Sequence, residues 1–355
     1  MNLEDYGFNK TIETYLTEHN LNNFEIGRII SEHKERYTVI TAKGEFDAEI
    51  TGNIRYTAQS RNDFPAVGDW VALIIYDSGI SIIHNILPRF SLIARQAINQ
   101  YGEIQIIASN IDYALLVQAV DRDYNINRLE RYLSICNSSK ITPFIILTKT
   151  DLIDNTALNE IINNITHRIK DVRIIALSNT TQQGYDTLRQ AFIKGKTYCM
   201  LGSSGVGKST ILNNLSGRII MKTGLISEST SKGRHISSYR ELVVLENGGI
   251  LIDNPGMREV GIIDNDKGLE NTFDYIIQLS EQCKYKDCTH TNEKGCAIID
   301  ALNKNILNKD SYNNYLKIEK EKSFFKSTVA EKRKKDKEFG KMIKNYKNEL
   351  KNNKY

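Results

Sequence analysis

Residues 200–215 read MLGSSGVGKSTILNNL and carry the spacing G-x-x-x-x-G-K-S. Gly202, Gly205 and Gly207 permit a tight loop whose backbone N–H groups, with those of Ser203, Ser204 and Val206, can point inward at phosphate oxygens. Lys208 adds a positive charge at the β- and γ-phosphates, the Ser209 hydroxyl can ligate Mg²⁺, and Thr210 continues the first helical turn. The apolar run TYCML precedes the loop, and STILNNLSG after it reads as a helix stopped by Gly217. Strand, loop and helix in this order put bound phosphates at a helix N-terminus, where the dipole favours negative charge. Lys208 is accordingly a candidate catalytic as well as a binding residue.

Working outward, a second phosphate-site element lies 44 residues beyond Ser209, where GGILIDNPG ends an apolar run in Asp253. A carboxylate at a strand end can hold the magnesium, and the Gly256 N–H can meet a γ-phosphate. Ser209 and Asp253 are the expected magnesium pair, and Asp253 a second candidate catalytic residue. In most small GTPases a base-reading N/T-K-x-D element follows the phosphate loop. Here the matching run, LTKTD at residues 147–151, precedes it. Asp151 can accept hydrogen bonds from the two adjacent N–H donors of guanine, a pair that adenine lacks. The Lys149 stem can lie along the base. Thr148 stands where many GTPases carry Asn, Thr150 completes the turn, and Ser178 in ALSN can back the guanine. Strand positions in a sheet do not depend on chain order if old ends are joined and new ones opened. The expectation is a circularly permuted G domain binding GTP or GDP, a parallel sheet with helices on both faces.

At 355 residues the chain is long enough for two or three domains. Residues 25–90 hold β-rich runs (YTVITA, GEFDAEITG, DWVALIIY, GISIIHNILP) separated by turn residues, a spacing that suits a five-stranded OB-type barrel. The expected organisation is an N-terminal extension (1–24), an OB-type barrel (25–105) with or without a nucleic-acid ligand, the permuted GTPase domain (106–265), and a zinc-binding helical domain with a basic tail (266–355). The acidic N-terminus is not a secretory signal, and no apolar run approaches the roughly 18 residues of a membrane span. The expectation is a cytoplasmic protein without a membrane partner.

Net charge is +4, unevenly spread: residues 317–354 hold 14 Lys or Arg against 6 Asp or Glu, leaving the remainder at about −4. Such a tail suits a polyanion such as RNA. In a cytoplasmic chain five cysteines argue for metal binding or buried thiols. QCKYKDCTHTNEKGC places Cys283, Cys288, His290 and Cys296 within fourteen residues, the donor set of one closed structural zinc site. Cys136 and Cys199, in apolar runs, read as buried thiols. His19, His33, His84 and His167 have no partner pattern.

Together these motifs resemble the bacterial ribosome-small-subunit-dependent GTPases of the RsgA/YjeQ family. The likeness runs through PAVGDWV, NINRLERYL, LTKTDL, GSSGVGKST, KGRH (232–235), IDNPGMRE and CTHTNEKGC, nearly the whole chain. It implies an OB-type barrel, a permuted G domain and a zinc-bearing helical domain. It also implies a GTPase that binds the 30S subunit late in maturation, contacts 16S rRNA and is strongly activated there, free in solution as a monomer. Two departures stand out. Ile236, Ser237 and Ser238 occupy the place of a Thr run that closes over Mg²⁺. Met257 stands where many GTPases place a water-orienting Gln, so the expected intrinsic rate is slow. His235 is the in-chain candidate catalytic group. Gly205 stands where potassium-using relatives tend to have Asn. The rival readings are a non-catalytic RNA-binding scaffold with a vestigial nucleotide site, and a P-loop kinase or ATPase.

Overall fold

The computed structural model describes residues 2–33, 36–76, 79–96, 104–121, 124–217, 240–253 and 266–326. Strands β1 (Glu25–His33), β2 (Arg36–Thr41), β3 (Gly44–Ile50), β4 (Trp70–Ile75) and β5 (Ile80–Ile86) form the barrel. β1 pairs antiparallel with β2, β2 with β3, and β4 with both β5 and β1, while β3 runs parallel to β5, which closes the ring. Ile29, Val39, Val71, Leu73 and Ile83 fill its interior without exposure, as expected of alternate positions on strands with one buried face.

The N-terminal segment is part of this unit. Helix α1 (Lys10–Glu18) begins at Asn9, whose side chain accepts from the N–H groups of Thr11 and Ile12. Its Leu16 joins Trp70, Ala72 and Leu87 in a separate apolar cluster on the outside of the barrel. Helix α2 (Gly52–Thr57) follows β3.

A hairpin, β6 (Leu92–Gln96) and β7 (Ile104–Ser109), leads into the α/β part. There β8 (Tyr113–Ala119), α3 (Ile126–Ser138), β9 (Thr142–Thr148), α4 (Asn155–Arg168), β10 (Arg173–Ala176), α5 (Tyr185–Ala191), β11 (Thr197–Leu201) and α6 (Lys208–Ser216) alternate. They are followed by β12 (Arg240–Val244) and β13 (Ile250–Asp253). The sheet order is β10-β9-β8-β11-β13-β12, parallel from β10 to β13. Neighbouring residues of β8 divide between two apolar clusters, Ala114 and Leu116 in one, Leu115 and Val117 in the other. This is the signature of a sheet covered on both faces.

β12 is absent from the apolar runs read above. It pairs antiparallel with β13 and also with β1, Ser31 opposite Glu241, so barrel and G-domain sheet are continuous. Arg28 reinforces the seam. Fully buried, it donates to the carbonyls of Tyr6 (2.6 Å), Gly68 (3.1 Å) and Asn110 (3.2 Å) and to the Thr197 hydroxyl (2.9 Å). Burial pulls its pKa down to about 10, so it is still charged at neutral pH. Helices α7 (Asp266–Thr272), α8 (Asp274–Glu281), α9 (Ala297–Asn303) and α10 (Lys309–Lys326) complete the described chain. No described helix is long and apolar enough to cross a membrane.

Candidate functional site

Because β8, β9, β11 and β13 are parallel, the loops after them emerge at one sheet edge, where ligands of such sheets bind. Register puts Ala119 beside Thr148, Leu116 beside Leu201 and Cys199 beside Ile252. The G-x-x-x-x-G-K-S loop leaves this edge between β11 and α6. A Cβ on Gly202 would stand 2.4 Å from the Val117 carbonyl oxygen, and Gly207, the residue before α6, has φ +96°. Only glycine satisfies both positions. The Lys208 ammonium donates to the carbonyls of Gly202 (2.7 Å) and Ser203 (2.5 Å), which holds it against the loop.

The T-K-T-D run abuts this loop. Thr148, fully buried at the end of β9, donates its hydroxyl to the Val206 carbonyl at 2.7 Å. Lys149 adopts the left-handed conformation, φ +61°, and its ammonium pairs with Asp121 at 2.7 Å. Thr150 opens the short 3-10 turn that carries Asp151, and its N–H points to the Leu177 carbonyl. The Ser178 hydroxyl donates to Asp151 Oδ1 at 2.5 Å while accepting from the N–H groups of Thr180 and Thr181. The four residues of the candidate base motif, Ser178 and the phosphate loop therefore occupy one stretch of the edge.

Three contacting residues escaped the sequence reading. The Asn179 amide donates to the Gly207 carbonyl at 3.4 Å and accepts from the Tyr185 hydroxyl at 2.6 Å; that hydroxyl in turn accepts from Asn214 of α6 at 2.8 Å. Arg128 on α3 donates to the Ser203 hydroxyl, and Asp121 holds Lys149. None belongs to a spacing motif, and each meets its partner across 28 residues or more, except within the Asn179–Tyr185 pair. Asn179 follows Ser178 directly, which is the one local signal that pointed toward it.

Asp253 ends β13, one residue past the Ile252–Cys199 pairing. The Ser209 hydroxyl and Asp253 carboxylate are hard oxygen donors, the chemistry that suits Mg²⁺ beside a polyphosphate. Gly256 and His235, with Ser237, Ser238 and Met257, lie outside the described residues.

In the C-terminal part the ligand atoms of Cys283, Cys288, His290 and Cys296 all lie within 4.8 Å of one another. Cys283 Sγ and Cys296 Sγ are 3.8 Å apart, and each is 3.5 Å from His290 Nδ1. A tetrahedral site with metal–sulfur bonds of about 2.3 Å has sulfur–sulfur edges of about 3.8 Å. The group therefore fits one metal ion. Glu293 braces the connecting knuckle: a hydrogen bond from the Thr289 hydroxyl, with further ones from backbone N–H groups, holds its carboxyl down to about 2. Cys136 and Cys199 are fully buried elsewhere, and desolvation pushes the Cys136 thiol up to about 12 and Cys199 well above its ordinary value.

Comparison with known proteins agrees with this geometry. The family profile described as RsgA GTPase matches residues 86–263. The chain is 40% identical over 328 residues to the small ribosomal subunit biogenesis GTPase RsgA 2 of Lactiplantibacillus plantarum, covering 91% of this chain and 90% of that one. It is 37% identical to RsgA 1 of Bacteroides thetaiotaomicron, covering 96% of each. Among solved structures, YjeQ from Thermotoga maritima superposes with a TM-score of 0.61 at 25% identity, covering 84% of this chain and 98% of that one. YloQ, a circularly permuted GTPase, superposes at 0.59 and 24% identity, covering 88% and 99%, and bears on the fold alone. A permuted α/β sheet behind a closed five-stranded barrel, a Cys3His cluster after it and sequence identity along nearly the full length agree on one assignment: the chain belongs to the RsgA GTPase family.

Proposed function

We propose that this chain is a cytoplasmic GTPase of small-ribosomal-subunit biogenesis, binding 16S rRNA on the 30S particle and hydrolysing GTP to GDP and phosphate in response to it. The observation that carries the reading is the junction of Thr148 and Asn179 with the phosphate loop, which brings Asp151 to the edge where Lys208 stands. One guanine nucleotide spans the two. Asp151 accepts from the guanine N–H pair, and Ser178, which donates to Asp151, fixes its orientation. The inward N–H groups of residues 202–207 and the Lys208 ammonium hold the β- and γ-phosphates, so that charge developing during phosphoryl transfer meets preorganised donors. Ser209 and Asp253 would hold the magnesium, which supplies charge neutralisation at the phosphates. His235 is the in-chain candidate to orient the attacking water, and Gly256 to donate its N–H to the γ-phosphate.

The RsgA names of the relatives place their action at the small subunit. The barrel and the basic residues of the C-terminal tail supply surfaces suited to rRNA. Cys283, Cys288, His290 and Cys296 would hold one structural zinc, all four positions filled by protein and none left for substrate. Phosphate release by the wild type and by Lys208→Ala, each with and without purified 30S subunits, tests the reading. Stimulation of the wild type alone is expected; a rate indifferent to subunits supports the scaffold reading instead.

A further inference from the structure

Helix α3 touches three separate parts of the molecule within two turns. At its start Arg128 donates to the Ser203 hydroxyl in the phosphate loop. One turn on, Arg131 makes two bonds of 2.6 Å to the Glu321 carboxylate of α10. Between them Glu130, 2% exposed, accepts from Arg168 of α4 and from Asn314 of α10 at 2.7 Å, and from the Ser311 hydroxyl at 3.1 Å. Asn314 also donates to the Asn127 carbonyl, in the first turn of α3.

This junction is polar. Facing surfaces of α3 and α10 enclose a crevice of about 410 Å³ lined by Asn125, Arg128, Arg131, Asn314 and Lys317 among others. A charged, incompletely filled interface can shift between discrete arrangements at lower cost than a close-packed core. Arg131 and Glu321 are each about a quarter exposed, so their pairing is open to change without unfolding either helix.

We infer that Arg128 is a positioning residue for the phosphate loop, and that the clamp of Glu130 and Arg131 on α10 makes its placement depend on how the Cys3His unit is seated, since the Tyr312 hydroxyl of α10 donates to the His290 carbonyl at 3.2 Å. The inference rests on the reading that the loop holds a guanine nucleotide. The route runs from Ser203 through α3 to α10. A rigid helical segment that carries both contacts one turn apart transmits a displacement of α10 to Ser203, and nucleotide binding at the loop bears back on α10 with the same free energy.

The test is the dissociation rate of a fluorescent GDP analogue from the full-length protein, with circular dichroism as the check on folding. Arg128→Ala should speed release about 10-fold, and Arg128→Lys should recover part of that loss, since it keeps the charge without the planar fork. Ser203→Ala added to Arg128→Ala should change the rate less than twofold, because the two residues form one contact. Glu321→Gln, remote from the nucleotide, should speed release about threefold, and the exchange Arg131→Glu with Glu321→Arg should return it to within twofold of wild type. Independent, multiplying effects of Arg128→Ala and Ser203→Ala would overturn the positioning role. Unchanged release in folded Glu321→Gln would overturn the clamp. A wild type that fails to bind the analogue at all refutes the nucleotide reading itself, a separate result from either.

Discussion

The Thr148 hydroxyl donates to the Val206 carbonyl across 2.7 Å, joining the last residue of β9 to the phosphate loop 58 residues later in the chain. Both residues are buried, 0% and 1% exposed, so the bond is shielded from competing water. Thr148→Val keeps the shape and removes the donor, stranding the carbonyl at a cost of about 1–3 kcal/mol. Urea unfolding should show a lower midpoint with an unchanged slope, and guanine nucleotide affinity should fall with it. Thr148→Ser should retain most of both.

Asp151 is the proposed reader of the base. Asp151→Asn exchanges an acceptor pair for a mixed donor and acceptor, so affinity for GDP should fall by about 100-fold or more and xanthosine diphosphate should gain. Competition binding against both nucleotides decides it; undiminished guanine preference would remove Asp151 from the base site.

The cysteines should separate by reactivity. Burial raises the pKa of Cys136 to about 12 and that of Cys199 well above its ordinary value, so at pH 8 both remain protonated and shielded. Thiolate is the reactive form. Alkylation of the native protein in the presence of a chelator should label the partly exposed Cys283 and Cys288 first and reach Cys136 and Cys199 only on denaturation, as read by mass spectrometry of peptides.

Metal content should be one zinc per chain by elemental analysis, and Cys288→Ser should lose it. Metal binding is coupled to folding wherever ligands come from a short, loop-rich segment. Removal should therefore lower the melting temperature of the C-terminal part and increase proteolysis between residues 283 and 296, while nucleotide binding persists in weaker form.

Arg28 should be among the least replaceable residues outside the nucleotide site. Arg28→Met takes the donor from the carbonyls of Tyr6 and Asn110, while Gly68 keeps the Asn110 amide, and each stranded acceptor should cost about 1–3 kcal/mol. Equilibrium unfolding measures it.

Local spacing made the phosphate loop, the T-K-T-D run and the Cys3His group legible, because a ligand that must be met by several groups within a few ångströms dictates their separation along a tight turn. In the barrel, β5 shows its alternating burial within its own sequence, whereas β4 is buried at four successive positions because the N-terminal segment covers its outer face. The N-terminal segment was opaque for the opposite reason: its apolar residues have a purpose only against Trp70, Ala72 and Leu87. β12 is five residues long, and its neighbours β1 and β13 define it more than its own pattern does.

By itself, then, the sequence determined the chemistry on offer: a glycine-rich loop with its lysine, a carboxylate proposed to read guanine and one set of metal-ligand side chains, in permuted order. Tertiary structure decided which of these groups meet. Parallel strand register carried Thr148 to Val206, and the packing of α3 carried Arg128 to Ser203 and Arg131 to Glu321. Contacts across 58 to 190 residues depend on how whole elements pack, a cooperative choice of the folded chain that no short window of residues encodes.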